Sequence, residues 1–65
     1  MRWNIKLNKE TETPEIELFI EEIKKVYVKH GLSLAHEDCH GGFIVEKISD
    51  NNLEWLDAAM NNTDE

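Results

Sequence analysis

The residues most able to do chemistry lie in one short stretch, His36-Glu37-Asp38-Cys39-His40-Gly41-Gly42. It holds two of the three histidines, the only cysteine and two of the three glycines of the chain. Imidazole, carboxylate and thiol groups can exchange protons, ligate metals or hydrogen-bond a ligand. Glycine tolerates the positive φ of a tight hairpin turn and lets backbone N–H groups come close to a ligand. We therefore predict a ligand-binding site formed by His36, Glu37, Asp38, His40, Gly41, Gly42 and Phe43.

Three other interpretations of this stretch stay open. Thiolate and imidazole suit zinc, and a metal-stabilised structural module is one alternative, although the spacing does not form the two separated ligand pairs of a zinc signature. Cys39 beside His40 has the residue types of a thiol enzyme, but such enzymes usually take these two residues from separate elements. In the third interpretation, Asp38 and the glycines only build the turn. We expect no enzyme activity, no catalytic residue, no metal and no cofactor.

Composition limits the classes of function. Fourteen acidic residues against seven basic ones give a net charge of −7. Binding to DNA or RNA phosphates uses lysine and arginine, so we expect no direct nucleic-acid binding through a basic face. No apolar run approaches the roughly 18 residues of a membrane span, and the N-terminus lacks the apolar core of a signal peptide. A lone cysteine fits a reducing compartment, so we expect a cytoplasmic protein with no membrane partner.

The first helix has the clearest local signals. Thr13 is a suitable N-cap, Pro14 fits the first helical position, and Gly31 fits the position after the last turn. Between them, apolar residues recur at helical spacing and predict one buried stripe. Its members are Ile16, Phe19, Ile20, Ile23, Val26 and Tyr27.

The segments around this helix predict a small α+β fold. Residues 32–38 alternate and residues 43–48 are β-branched, so they predict a hairpin with its turn at residues 39–42. Ser49 or Asp50 can cap a second helix that ends near residues 61–62. Residues 3–7 also alternate and predict an N-terminal strand with Trp3, Ile5 and Leu7 on one face, followed by a polar connector at residues 8–12. The predicted order is (β)αββα in one domain over residues 1–65, with a frayed tail at residues 61–65.

Several features predict a homo-oligomer, at least a dimer. A domain this small buries only about 60% of the surface of its unfolded chain, and small domains often gain stability by association. Leu18 and Val28 lie off the main helical stripe, and the strand over residues 43–48 has apolar side chains on both faces. We interpret these residues as surface that another subunit covers.

Residues 29–46, followed by Asn52-Leu53-Glu54-Trp55-Leu56, resemble a group of small bacteriophage-encoded proteins. These share a helix, a Gly-(Ile/Leu)-Ser run, a His-Glu-Asp-x-His-Gly-(Ala/Gly)-Phe core and a closing helix with Trp-Leu. The resemblance covers about residues 25–60, and the chain has Gly42 where alanine is common. The group has no established activity.

The resemblance implies a phage accessory protein that acts in the host cytoplasm. Small acidic phage proteins often counter host antiviral defence by stoichiometric binding. Some sequester small nucleotide-type immune signals, which the histidine-rich hairpin slightly favours here. Others dock directly on a host defence protein or nuclease, which the negative charge favours. An anionic nucleotide would need a positive lining, for which Arg2, Lys24, Lys25, Lys47 and the N–H groups of Gly41 and Gly42 are the candidates.

Overall fold

The computed structural model describes residues 1–39 and 41–63 and confirms the α+β class. Two short strands precede the first helix, and a longer hairpin separates it from the second helix. The elements are β1 (Arg2–Asn4), β2 (Lys9–Thr11), α1 (Pro14–His30), β3 (Leu32–His36), β4 (Phe43–Lys47) and α2 (Asp50–Asp57). They form two separate antiparallel sheets, β1–β2 and β3–β4. Among the described residues, no helix has the length and apolar character required to cross a membrane.

The ends of α1 follow the predicted signals, with one difference at its start. Thr13 is the N-cap and Pro14 the first helical residue, and Gly31 adopts the left-handed conformation (φ +67°) that ends the helix. The Thr13 side chain, however, caps no backbone N–H group. Its hydroxyl instead donates to Glu17 Oε2 at 2.9 Å. Thr13 thus helps to fix a carboxylate that has a second partner on β1.

The N-terminal strand exists but ends at Asn4, so it is shorter than the predicted strand over residues 3–7, and the predicted connector at residues 8–12 is wrong. The segment after it contains β2, which pairs with β1 so that Arg2 lies opposite Thr11 and Asn4 opposite Lys9. Arg2 and Asn4 are the buried residues of β1, whereas Trp3 is 41% exposed. Asn4 Oδ1 accepts the Leu7 N–H at 2.9 Å, so this buried amide holds the β1–β2 turn.

The β3–β4 hairpin forms as predicted, and α2 is shorter than predicted. Ser49 is the N-cap of α2, and its hydroxyl accepts the Asn52 N–H at 3.2 Å. The helix ends at Asp57 because the chain then turns to β1. There Asn61 donates its N–H to Trp3 O at 2.8 Å and its O accepts from Ile5 N–H at 2.9 Å. The segment expected to fray from residue 61 therefore begins with a residue that is 1% exposed.

Arg2 connects the N-terminal sheet to both helices. Its Nε and Nη2 atoms each donate to a carboxylate oxygen of Glu17 at 2.8 Å. Its Nη1 atom donates to the carbonyl oxygens of Asp57, at 2.7 Å, and of Ala59. Carbonyl groups at the end of a helix lack intrahelical partners, so this guanidinium satisfies groups that would otherwise need water. Arg2 thereby fixes the position of α2.

The described residues form a core that is small and partly polar. Only Ile20 and Tyr27 are buried hydrophobic side chains among them, while Asn4, Ser33 and Asn61 are the largest fully buried ones. The predicted burial of the whole α1 stripe is therefore wrong for a single chain. Phe19 and Val26 are 62% and 55% exposed, because β3, β4 and α2 cover only part of that face. This exposed apolar surface lies beside the candidate site.

Candidate functional site

The hairpin tip brings the two ends of the predicted site together. His36 and Phe43 lie opposite each other at the last pair of the β3–β4 register. The Glu37 N–H donates to Gly42 O at 2.8 Å, and the Gly41 N–H donates to Glu37 O at 3.1 Å. Gly41 has φ +69°, a conformation that side chains disfavour, so glycine is required there. His40 lies outside the described residues.

Trp55 from α2 completes a group that we call the aromatic cluster: His36, Phe43 and Trp55. The indole centroid lies 6.3 Å from the His36 ring and 6.5 Å from the Phe43 ring, the latter in an edge-to-face arrangement. Trp55 and Phe43 remain 44% and 71% exposed. The cluster is therefore an open aromatic surface, held in place by a hairpin and a helix.

Buried polar contacts fix α2 against this hairpin. Asn52 Nδ2 donates to Ser33 Oγ at 2.8 Å and to Glu46 Oε2 at 3.0 Å. Ser33 Oγ in turn donates to Lys47 O at 3.0 Å. Because Asn52 is one helical turn before Trp55, these bonds set the position from which the indole reaches His36 and Phe43.

Carboxylates lie next to the aromatic cluster. Asp38 Oδ1 is 3.6 Å from His36 Nδ1, and the Asp38 side chain is fully exposed. Glu37 Oε1 accepts the Cys39 N–H at 2.9 Å, so this carboxylate is part of the turn. Glu54 precedes Trp55 on α2 and is exposed. The hairpin side of the cluster is therefore acidic.

The cations predicted to line a phosphate site are mostly engaged elsewhere. Arg2 is bound to Glu17 and to the end of α2. Lys24 Nζ lies 2.6 Å from Asp57 Oδ1, and this hydrogen bond raises the pKa of Lys24. Lys47 lies opposite Leu32 at the other end of the hairpin, about 13 Å from the His36–Phe43 pair. The Gly41 N–H, another candidate, is used inside the turn.

Arg2 and Glu17 form a hydrogen-bonded ion pair away from the hairpin tip. Hydrogen bonds from the Arg2 guanidinium, and then from the Thr13 hydroxyl, lower the pKa of Glu17 to about 2. This pair belongs to the junction of β1, α1 and α2. It stabilises the scaffold and is not part of the predicted site.

The remaining predicted groups can be placed individually. Cys39 is exposed on the turn. Tyr27, a member of the predicted buried stripe of α1, is buried in the core at 5% exposure. Among residues 1–39 and 41–63, no three His, Cys, Asp or Glu side chains come together as a metal site would require.

Sequence reasoning missed an apolar groove between α1, the hairpin and the end of α2. One part, of about 310 Å³, is lined by Val26 and Val45. The next part, of about 390 Å³, is lined by Phe43, Trp55 and Met60. Ile23, Tyr27 and Leu34 line both parts, so they form one continuous apolar groove. The exposed apolar residues on both faces of the predicted strand were the only signal for it.

Comparison of the chain with family models, with curated protein sequences and with solved structures gives no match.

Proposed function

We propose that this chain is a non-enzymatic bacteriophage accessory protein that counters host antiviral defence by binding a host defence protein stoichiometrically. The phage context rests on the resemblance of residues 29–46 and 52–56 to small phage proteins. The choice of a protein target rests on one observation: the exposed aromatic cluster is bordered by carboxylates. Both the aromatic composition of the cluster and the negative charge beside it are typical of surfaces that bind other proteins.

The first feature is the composition of the cluster. Trp, Tyr and Phe are enriched in the buried centres of protein interfaces, where a few large side chains supply most of the binding energy. Trp55 and Phe43 offer such anchors on a surface fixed by α2 and the hairpin. The rings are open to solvent, whereas enzymes enclose the reacting atoms in a site that excludes water. An open aromatic surface favours binding over catalysis.

The second feature is charge. Asp38 is exposed beside the cluster, and the whole chain carries −7. Complementary charge accelerates the encounter of two proteins and suppresses association with unsuitable partners. The partner is therefore a protein whose basic surface surrounds an apolar recess that accepts the indole.

Sequestration of a small nucleotide-type immune signal is the second candidate, and the same cluster favours it. A base can stack on an aromatic or imidazole ring, and such stacking contributes about 1–3 kcal/mol per base. The difficulty is the phosphate group. Arg2 and Lys24 are held in ion pairs, and Asp38 lies 3.6 Å from the imidazole that would stack. These contacts favour a protein target over an anionic nucleotide.

A phage-protection assay tests the proposal with a matched pair of variants. Trp55 and Trp3 are 44% and 41% exposed, Trp55 on α2 within the aromatic cluster and Trp3 on β1 outside it. Bacteria that carry a defence system would express the wild-type chain, Trp55→Ala or Trp3→Ala at equal levels, and the plating efficiency of a defence-sensitive phage would be measured. We expect the wild type and Trp3→Ala to restore plating and Trp55→Ala to fail. Full protection by Trp55→Ala would contradict the proposed surface.

Titration separates the two candidate targets. A labelled cyclic dinucleotide is dialysed against the purified chain, and the purified defence protein is titrated separately at several salt concentrations. We expect no retention of the nucleotide, and a protein affinity that falls as salt rises because exposed carboxylates contribute. Retention of the nucleotide at one per site, lost in His36→Ala, would instead support sequestration.

A further inference from the structure

The chain exposes more surface than a folded monomer of its mass. A 7.6 kDa monomer is expected to expose about 4,300 Å², whereas this chain exposes 5179 Å². Its radius of gyration is 12.8 Å, against about 10.7 Å expected for 65 residues. Its extents of 33 × 28 × 17 Å describe a flat slab. The chain therefore has the shape of one layer of a thicker structure.

The exposed apolar surface is concentrated along the groove. Val26 on α1 is 55% exposed, and Leu34 and Val45 on the hairpin are 40% and 64% exposed. Phe19 lies seven residues before Val26, two helical turns along the same side of α1, and is 62% exposed. A monomer would leave these side chains in water, at a cost of about 25 cal/mol for each Å² of apolar area that remains unburied.

We infer that the part of the apolar groove lined by Val26 and Val45 is the dimer interface of this protein, in which the Phe19–Val26 side of α1 packs on the Leu34–Val45 face of a second copy, while the part lined by Phe43 and Trp55 stays open. In a two-fold dimer this contact occurs twice, once in each direction. The inference stands apart from the proposed function, which requires the aromatic cluster but no dimer.

Two observations identify the occupant as a second copy. The excess surface is about 900 Å² per chain, close to the roughly 800 Å² that each partner buries in a standard interface. The groove also contains no carboxylate among its lining residues, although the chain has fourteen. The lining of the Val26–Val45 part therefore brings no carboxylate of its own against the second chain, and the acidic residue nearest to it on this side of α1 is Glu22, between Phe19 and Val26. A basic host protein would find its complementary charges elsewhere on the surface.

Sedimentation velocity on the full chain tests this assignment. The variants Val26→Glu and Val45→Glu each place a charge in the groove. Val28→Glu is the matched control: the inferred interface replaces the sequence-based assignment of Val28 to a covered surface, since Val28 is 70% exposed and lies about 200° around α1 from Val26. Glutamate is a good helix former, so the two helical variants differ chiefly in the face that they alter.

We expect the wild type and Val28→Glu to sediment at twice the monomer mass of 7.6 kDa at micromolar concentration. Val26→Glu and Val45→Glu should weaken the dimer by roughly 30-fold or more, as for a central interface residue. A wild-type monomer, or a dimer that survives both groove variants, would overturn the inference.

Thermal unfolding provides a second readout that is independent of sedimentation. The midpoint of a folded dimer rises with protein concentration, and the midpoint of a monomer does not. We expect the wild-type and Val28→Glu midpoints to rise with concentration, and the Val26→Glu midpoint to be lower and nearly constant. If Val26→Glu has no helical circular dichroism signal, Val45→Glu decides, because its strand position is already 64% exposed in the single chain.

Discussion

Replacing Arg2 by methionine tests how the ends of the chain are held together. Methionine keeps most of the apolar length of the arginine side chain but removes every hydrogen bond. In the wild type, the guanidinium donates to both carboxylate oxygens of Glu17 and to the carbonyl oxygens of Asp57 and Ala59. The substitution therefore removes the side-chain bonds of β1 to α1 and to the end of α2, while the backbone bonds of Asn61 to Trp3 and Ile5 remain.

The magnitude follows from these contacts. A hydrogen bond that involves a charged group contributes about 1.5–3 kcal/mol to stability. The Glu17 side chain is 54% exposed, so water can replace Arg2 there and the loss at that end is small. The two bonds to carbonyl oxygens are partly buried. Taking the lower end of the range for each, we expect a loss of about 3 kcal/mol in the free energy of unfolding.

Urea unfolding followed by circular dichroism measures this loss. A chain of this length has a total stability of roughly 3–10 kcal/mol, so the variant should approach the unfolding threshold. Its melting temperature should fall by roughly 12–24 °C. Lys9→Met, on the paired strand β2 and exposed, is the control and should change stability by no more than about 0.5 kcal/mol. An Arg2→Met protein as stable as that control would refute the role assigned to Arg2.

Three further predictions concern pH, backbone conformation and a buried amide. Because Arg2 lowers the pKa of Glu17 from 4.5 to about 2, the stability that this pair contributes is complete above pH 4.5 and is lost as pH falls through 2. In urea unfolding, Glu17→Gln should therefore make the free energy of unfolding depend less on pH in this acid range. An unchanged pH dependence would contradict the assignment. Gly31→Ala should lower the free energy of unfolding, measured by thermal unfolding, by about 1 kcal/mol, because φ is +67° at this position even though the added Cβ meets no atom within 4 Å. Gly42→Ala should lower it by much less. Asn52→Ala should cost about 2 kcal/mol, since it leaves buried hydrogen-bonding groups unpaired, and the exposed neighbour variant Asn51→Ala should be nearly silent in the same assay.

Local signals were sufficient for the first helix, for the start of the second helix and for the main hairpin. The start of α1 is marked by Thr13 and Pro14, and its end by Gly31. A hairpin over residues 32–48 follows from β-branched residues around a glycine-containing turn. The strand Lys9–Thr11 had no such signal. It is polar and short, and only its pairing with Arg2–Asn4 makes it a strand.

Burial depended on contacts between distant parts of the chain. Nothing local indicates that Asn4 and Asn61, 57 residues apart, form a bridge and are each 1% exposed. The helical period placed Val26 in the core, yet the hairpin and α2 do not extend over it. Periodicity identifies the apolar side of a helix and does not say how much of that side one chain can cover.

The candidate site was predictable in its hairpin and not in its surroundings. His36 and Phe43 come together because they flank one turn, which the sequence pattern specifies. The approach of Trp55 depends on the docking of α2 through Asn52, a tertiary contact. The pairing of Arg2 with Glu17 was equally unpredictable, and it is one of the contacts on which we base the proposal of a protein target rather than an anionic nucleotide.

The most direct test of the central claim is a native mass spectrum of the chain recovered from bacteria that express it during phage challenge. We expect a complex of this chain with one defence protein at a fixed integral ratio. The complex should be present for the wild type and for Trp3→Ala, and absent for Trp55→Ala. A spectrum in which the chain carries a nucleotide-sized ligand and no protein partner would contradict it.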